Sequence, residues 1–141
     1  MSIKEFKSSS AEMTKEIAAE FAKELKPNDV LCMYGDLGAG KTAFVQGLAT
    51  GLGVSEYVNS PTFTIVNEYE GDLPLYHFDV YRIGDSSEMF DIGFDEYLDG
   101  DGVTVIEWAE LIEDILPVHR YNITILKSDD DNLREIKIEV V

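Results

Sequence analysis

Cysteine is nearly absent from this 141-residue chain: Cys32 stands alone inside an apolar run, with no second thiol for a disulfide or a shared metal. It reads as core filler. Basic residues are scarce as well. Eleven Lys and Arg face 28 Asp and Glu, a formal net charge of −17, so the clustered cations with which a surface meets nucleic-acid phosphates are missing. That acidity suits a solvated surface or docking onto a basic partner protein. No apolar stretch approaches the ~18 residues of a membrane helix, and the N-terminal region lacks the apolar centre of a signal peptide. A cytoplasmic protein with no membrane partner is expected. The four Pro and eleven Gly are scattered, and neither repeats nor low-complexity segments suggest a linker or a solenoid. With 45% hydrophobic and 28% charged residues, the composition suits one globular domain over 1–141 with a single core.

Against these absences one stretch stands out. Gly35-Asp36-Leu37-Gly38-Ala39-Gly40-Lys41-Thr42 satisfies the pattern G-x-x-x-x-G-K-[ST] at every required position. The apolar run Val30-Leu31-Cys32-Met33-Tyr34 leads in as a strand, and Ala43 to Ala49 lead out at helical spacing. Strand, loop and helix therefore follow in the order that a phosphate-binding loop needs. Backbone N–H groups of Leu37, Gly38, Ala39, Gly40, Lys41 and Thr42 are expected to face phosphate oxygens, reinforced by the positive end of the helix. The Lys41 ammonium would reach the outer phosphates and the Thr42 hydroxyl would hold Mg²⁺.

The rest of the chain alternates between helical and strand periodicity. Ile3 to Lys7 reads as an edge strand, and Ser8-Ser9-Ser10 offers a hydroxyl cap to a helix from about 11 to 26. Its expected apolar face is Met13, Ile17, Phe21 and Leu25, with Ala18 and Ala22 beside them. Phe63 to Tyr69 and Leu75 to Tyr81 alternate around Gly71-Asp72-Leu73-Pro74, which predicts an antiparallel hairpin. One or two short helices are expected within 85–99. Val103 to Ile106 form a second buried strand, Ala109 to Leu116 a short helix, and 121–126 with 133–141 a closing hairpin with an acidic tip. The sum is an α/β fold: a single P-loop NTPase-like domain whose central mixed sheet has flanking helices and antiparallel edge hairpins.

A nucleotide hydrolase also needs a carboxylate at the end of a buried strand beside the loop. Glu107, ending Val103 to Ile106, is the better candidate for the metal side because its strand has the β-branched continuity of a central parallel strand. Asp79, ending Leu75 to Phe78 and brought in by the hairpin, suits positioning of the attacking water. With that carboxylate on a hairpin, slow hydrolysis by the isolated protein is expected. Ser60-Pro61-Thr62 reads either as a switch loop near the γ-phosphate or as a plain turn. Arg82 suits phosphate charge or a structural ion pair. His77 alternates within its strand as an interior histidine, and Trp108 stacks on a base or a partner, or packs in the core.

The order and spacing of four segments resemble the TsaE family, small bacterial P-loop ATPases of tRNA threonylcarbamoyladenosine synthesis, over nearly the whole length. Those segments are GDLGAGKT at 35–42, Ser60-Pro61-Thr62-Phe63-Thr64, Tyr76-His77-Phe78-Asp79-Val80-Tyr81-Arg82, and Val105-Ile106-Glu107-Trp108. The resemblance implies that Thr42 and Glu107 ligate Mg²⁺, that Lys41 binds ATP phosphate, that Asp79 is needed for hydrolysis and that Arg134 approaches the nucleotide. It also implies partners: a complex of two paralogous proteins that transfers threonylcarbamoyl to a tRNA adenosine, with tRNA touched only indirectly and ATP hydrolysis supporting repeated turnover.

Three rivals share parts of this pattern. A nucleotide or small-molecule kinase usually clamps two phosphorylated substrates with several arginines, whereas Arg82, Arg120 and Arg134 are the only three here. A switch GTPase would carry Asn-Lys-x-Asp, which is absent from the sequence. A non-enzymatic nucleotide-binding scaffold would keep the loop and rarely cleave its ligand.

Overall fold

Runs that are apolar at every position must be covered on both faces, and in this chain they sit at the middle of the sheet. The structure, a computed structural model, describes residues 2–35, 40–58, 65–128 and 133–141. In chain order the elements are β1 (Ser2–Ser8), α1 (Ala11–Ala22), β2 (Val30–Gly35), α2 (Lys41–Gly51), β3 (Val66–Tyr69), β4 (Leu75–Asp79), α3 (Glu88–Asp91) and α4 (Phe94–Leu98). There follow β5 (Val103–Glu107), a 3-10 helix (Ala109–Ile115), β6 (Tyr121–Lys127) and β7 (Arg134–Val140). The strands form one sheet in the order β1-β7-β6-β2-β5-β4-β3. β2 runs parallel to both β5 and β6, and β4 runs parallel to β5. The outer pairs β3/β4, β6/β7 and β1/β7 are antiparallel. This is the expected α/β fold, a mixed sheet with the loop-bearing strand at its centre and antiparallel hairpins at its edges.

Alternation along the strands divides the core in two. Leu31, Met33, Val103, Val105, Ile123 and Ile125 pack with Phe21, Phe44 and Leu48 of α1 and α2. Val30, Cys32, Phe78 and Ile106 meet Met89, Phe94 and Ile112 from α3, α4 and the 3-10 helix. Burial pushes the Cys32 thiol up to about 12, so it stays protonated and unreactive at neutral pH and serves as packing.

Ser10 caps α1 by accepting the Met13 N–H at 3.0 Å, which uses one of the donors left over at a helix start. The buried stripe of α1 is Thr14, Ala18, Phe21 and Ala22. Met13, expected on the apolar face, is 40% exposed, because the stripe is centred one position further round. The helix also stops at Ala22, short of the expected 26. Its last carbonyls, on Glu20, Phe21 and Ala22, accept N–H groups three residues on, a tightening that ends the helix ahead of Pro27. α1 and α2 approach closely where Gly47 and Gly51 face Lys15, Ala18, Ala19 and Ala22.

Two other expectations need correction. β4 is not a free hairpin arm: besides its antiparallel partner β3, it pairs in parallel with β5 over its whole length, Leu75 with Val103 through Asp79 with Glu107. Asp79 is therefore held inside the sheet, and the expectation of slow hydrolysis has no movable hairpin to rest on. The segment Ala109–Ile115 is a 3-10 helix interrupted by non-helical backbone at Ile112. The acidic tip at 129–132 and the start of the 63–69 strand lie outside the described residues.

Thr104 in β5 is wholly buried, and its hydroxyl finds no hydrogen-bond partner among the described residues. A buried polar group without a partner costs about 1–3 kcal/mol, and valine has nearly the same shape. Thr104→Val should therefore raise stability by about 1 kcal/mol, read as a higher urea midpoint at constant slope. A lower midpoint would show that the hydroxyl has a partner that matters.

Candidate functional site

In an open α/β sheet, ligands settle beyond the carboxyl ends of the strands, where consecutive crossovers leave toward opposite faces. β2 and β5 are neighbours that meet this condition. After β2 the chain enters α2 on one face, whose Phe44 and Leu48 join the first core. After β5 it enters the 3-10 helix on the other face, whose Ala109 and Ile112 join the second. The crevice between them opens above Met33 and Glu107, which are in register.

Gly35 ends β2 with φ +135°, opposite Ile125 of β6. A Cβ there would stand 2.0 Å from the Ile125 carbonyl oxygen, so the first glycine of the motif is imposed by the sheet. Leu37, Gly38 and Ala39 lie outside the described residues, as does Ser60-Pro61-Thr62. Gly40 is the N-cap of α2 and gives it no side-chain cap. Among the described residues, nothing comes within 4 Å of where a Cβ on Gly40 would be. Unlike α1, α2 thus starts with donors that no capping side chain among the described residues uses, and this suits an anion. Thr42 is exposed on its first turn.

Lys41 is only 8% exposed. Its Nζ lies 3.5 Å from the Gly35 carbonyl oxygen and 4.8 Å from the ring centroid of Trp108. The cation is thus folded back across the base of its own loop and onto the residue that follows Glu107. Trp108 in turn stacks on Tyr81, with centroids 4.7 Å apart and planes at 46°. Trp108 has φ +64° and ψ +34°, a left-handed conformation that is rare for a bulky side chain and costs about 1–3 kcal/mol. It reverses the chain between β5 and the 3-10 helix and holds the indole under Lys41. Of the two readings of Trp108, packing is the one the structure bears out: the half-buried ring packs against the second core and lies between Lys41 and Tyr81.

Glu107 is 5% exposed, and its Oε2 lies 2.6 Å from His77 Nε2. The carboxylate therefore does not leave the sheet into solvent. Asp79 is directly opposite Glu107 in the β4–β5 ladder, and its Oδ1 accepts the Tyr81 N–H at 3.0 Å. Half-buried Asp79 donates its own N–H to the Ile65 carbonyl at 2.9 Å. Arg134 begins β7 opposite Lys127 and Ser8, at the same end of the sheet as the loop, and its Nη1 donates to the Leu133 carbonyl at 3.1 Å. β6 and β7 carry it to one side of the β2–β5 crevice. Arg82 is exposed just past β4.

The structure thus brings Lys41, Asp79 and Glu107 to one edge and adds Tyr81 and Trp108, which periodicity alone did not assign there. It also ties His77 to Glu107. Alternation puts His77 and Asp79 on one face of β4, but only the pairing of β4 with β5, with Asp79 opposite Glu107, brings His77 to that carboxylate. A hydroxyl and two carboxylates are hard oxygen donors suited to Mg²⁺, which is commonly held by one or two carboxylates together with substrate phosphates. The uncapped start of α2 suits those phosphates, so the residues present fit a nucleotide with Mg²⁺.

Comparisons with known proteins show the family and the fold. The family model described as "Threonylcarbamoyl adenosine biosynthesis protein TsaE" matches residues 8–136. A Bacillus subtilis protein named tRNA threonylcarbamoyladenosine biosynthesis protein TsaE is 56% identical over 131 residues, covering 92% of this chain and 81% of that protein. A Treponema pallidum protein of the same name is 44% identical over 131 residues, covering 93% and 96%. The crystal structure of Bacillus subtilis YdiB superposes with a TM-score of 0.84 at 45% identity, covering 99% of this chain and 86% of that one. A family match over most of the length, close relatives and a shared fold lead to one conclusion: the chain belongs to the TsaE family.

Proposed function

We propose that the chain binds ATP with Mg²⁺ at the β2–β5 crevice and hydrolyses it slowly by itself. We further propose that this hydrolysis supports a partner complex of two paralogous proteins in tRNA threonylcarbamoyladenosine synthesis. The observation that carries the nucleotide reading is the meeting of Lys41, Glu107 and Asp79 at a switch point headed by an uncapped helix. The tRNA reading is supported by the names of the relatives, which belong to tRNA threonylcarbamoyladenosine biosynthesis. Action on a partner also fits the charge of −17, which disfavours a direct grip on tRNA.

In this reading each side chain has one task. The first N–H groups of α2, with those of Leu37, Gly38 and Ala39, hold phosphate oxygens, and Lys41 leaves the Trp108 ring to neutralise the outer phosphates. Thr42 and Glu107 would hold Mg²⁺, which would supply charge neutralisation for the phosphates. Asp79 orients the attacking water from the neighbouring strand, and Arg134 approaches the nucleotide from β7. A kinase is less favoured because one of the three arginines, Arg120, is already committed to Asn122 and to the Pro117 carbonyl.

Calorimetric titration with ATP, followed by a phosphate-release assay, tests the assignment. Asp79→Ala should bind ATP as the wild type does and lose hydrolysis by about 10²–10⁴-fold, the usual contribution of a positioned base. Glu107→Ala should need more Mg²⁺ for the same ATP affinity. Unchanged hydrolysis in Asp79→Ala would remove that residue from the chemistry. Faster phosphate transfer to a small acceptor than to water would establish a kinase instead. Capture from a cytoplasmic extract, with and without ATP, tests the partner: two related proteins retained together support it, and a chain that turns over ATP but retains neither stands alone.

A further inference from the structure

His77 is wholly buried on β4, on the sheet face that carries Leu75, Val103 and Val105. Its Nδ1 finds no hydrogen-bond partner among the described residues. Its Nε2 lies 2.6 Å from Oε2 of Glu107. Packing alone is a poor account of a ring placed this way. A buried nitrogen without a partner costs free energy that an apolar side chain of similar size would not, and although Asn67 stands opposite His77 in the β3–β4 ladder, Nδ1 stays without a partner among the described residues.

We propose that His77 is the positioning residue for Glu107, fixing the carboxylate so that Oε1 faces the Mg²⁺ of bound ATP. This inference rests on the nucleotide reading above. A carboxylate that ligates a cation only accepts hydrogen bonds, so in this arrangement Nε2 donates to Oε2, and Nδ1 is the nitrogen without a partner among the described residues. The short contact engages one carboxylate oxygen and takes away its rotational freedom. It also compensates a carboxylate with 5% exposure for the water it has lost. Glu107 has four lone-pair sites on two oxygens, and the bond to His77 uses one side only. Metal ligands are commonly held this way by an outer hydrogen bond, and removing such a bond typically lowers metal affinity 10–100-fold. Asp79, opposite Glu107 in the ladder, is instead oriented by the Tyr81 backbone, so the two carboxylates are set independently.

Two amide substitutions separate positioning from packing. The Gln amide nitrogen reaches the place of Nε2 and can donate to Glu107, whereas that of Asn is one methylene short. Both leave space in the core, so both should lower thermal stability. In calorimetric titrations of ATP at stepped Mg²⁺, His77→Asn should raise the Mg²⁺ concentration at half effect by about 10–100-fold. His77→Gln should stay near the wild type. ATP affinity without Mg²⁺ should be the same in all three. If His77→Asn fails to fold, His77→Phe, which fills the pocket without a donor, should show the same Mg²⁺ defect. Nitrogen NMR of ¹⁵N-labelled histidine should find the His77 proton on Nε2. A proton on Nδ1 alone, or Asn and Gln variants that shift together, would overturn the inference. A wild type without any Mg²⁺ effect removes the metal site and this inference with it, whereas a Mg²⁺ effect that His77→Asn leaves intact removes this inference alone.

Discussion

Lys41→Met should leave the protein folded and lower its ATP affinity by at least about 100-fold. Methionine keeps an unbranched stem and adds a sulfur that packs well on an aromatic ring, so it can occupy the place of the Lys41 stem beside Trp108. What it removes is the ammonium, which stands 4.8 Å from the indole centroid and 3.5 Å from the Gly35 carbonyl. Hydrogen bonds to charged groups contribute about 1.5–3 kcal/mol each, and every 1.4 kcal/mol is about tenfold in affinity. Two phosphate contacts therefore account for the expected loss. The protein's formal charge of −17 sharpens it, since little other positive charge offsets the field around a polyphosphate. The variant's thermal midpoint should stay close to that of the wild type, and calorimetric titration should find no saturable ATP binding at wild-type saturating concentration. Trp108 is the only tryptophan, so its emission should change on ATP addition in the wild type and not in the variant. Equal affinities would overturn the assignment of Lys41.

Gly47→Ala should destabilise the fold by about 2–4 kcal/mol, opposite in sign to what helix propensity alone predicts. In an exposed helix interior the substitution would gain about 1 kcal/mol. Here a Cβ on Gly47 would lie 2.3 Å from the Lys15 carbonyl oxygen, 2.7 Å from the Lys15 Cα and 2.8 Å from the Ala18 Cβ. Two of these contacts are backbone, which cannot rotate away, so α1 and α2 must separate. Overpacking of this kind costs about 1–3 kcal/mol and occasionally more. Separation also loosens the packing of Phe21 and Phe44 in the same cluster. Since α2 carries Lys41 and Thr42 at its head, some loss of nucleotide affinity should follow. Urea unfolding gives the stability directly, and Thr50→Ala on the exposed side of α2 is the matched control. A midpoint equal to or above that of the wild type would show that the helices part at no cost.

The remaining differences between expectation and structure share a cause. The element types were legible because each rests on local periodicity: β2 as an apolar run, β5 as a β-branched run, α1 as a 3.6-residue stripe, and β6 with β7 as alternating segments. Alternation continues through Val80 and Tyr81, but the ladder ends at Asp79 because the chain turns there and the Tyr81 N–H binds the Asp79 carboxylate. Where α1 was read too long, i→i−3 bonds intervened before Pro27. The hairpin connection to β3 accounts for only part of the position of Asp79; its parallel pairing with β5 is what holds it beside Glu107. Such a pairing joins segments separated by two short helices, and local sequence does not announce it.

The sequence by itself determined the phosphate-binding motif with its strand and helix, the two strand-end carboxylates and the family resemblance, because these depend on residue type and spacing. Only the tertiary structure decided that β4 lies inside the sheet, that Trp108 takes a left-handed turn beneath Lys41, and that His77 reaches Glu107. It also decided that Gly47 admits no side chain. Each of these depends on which distant segments share a face, and that is settled by burying both sides of one sheet at once.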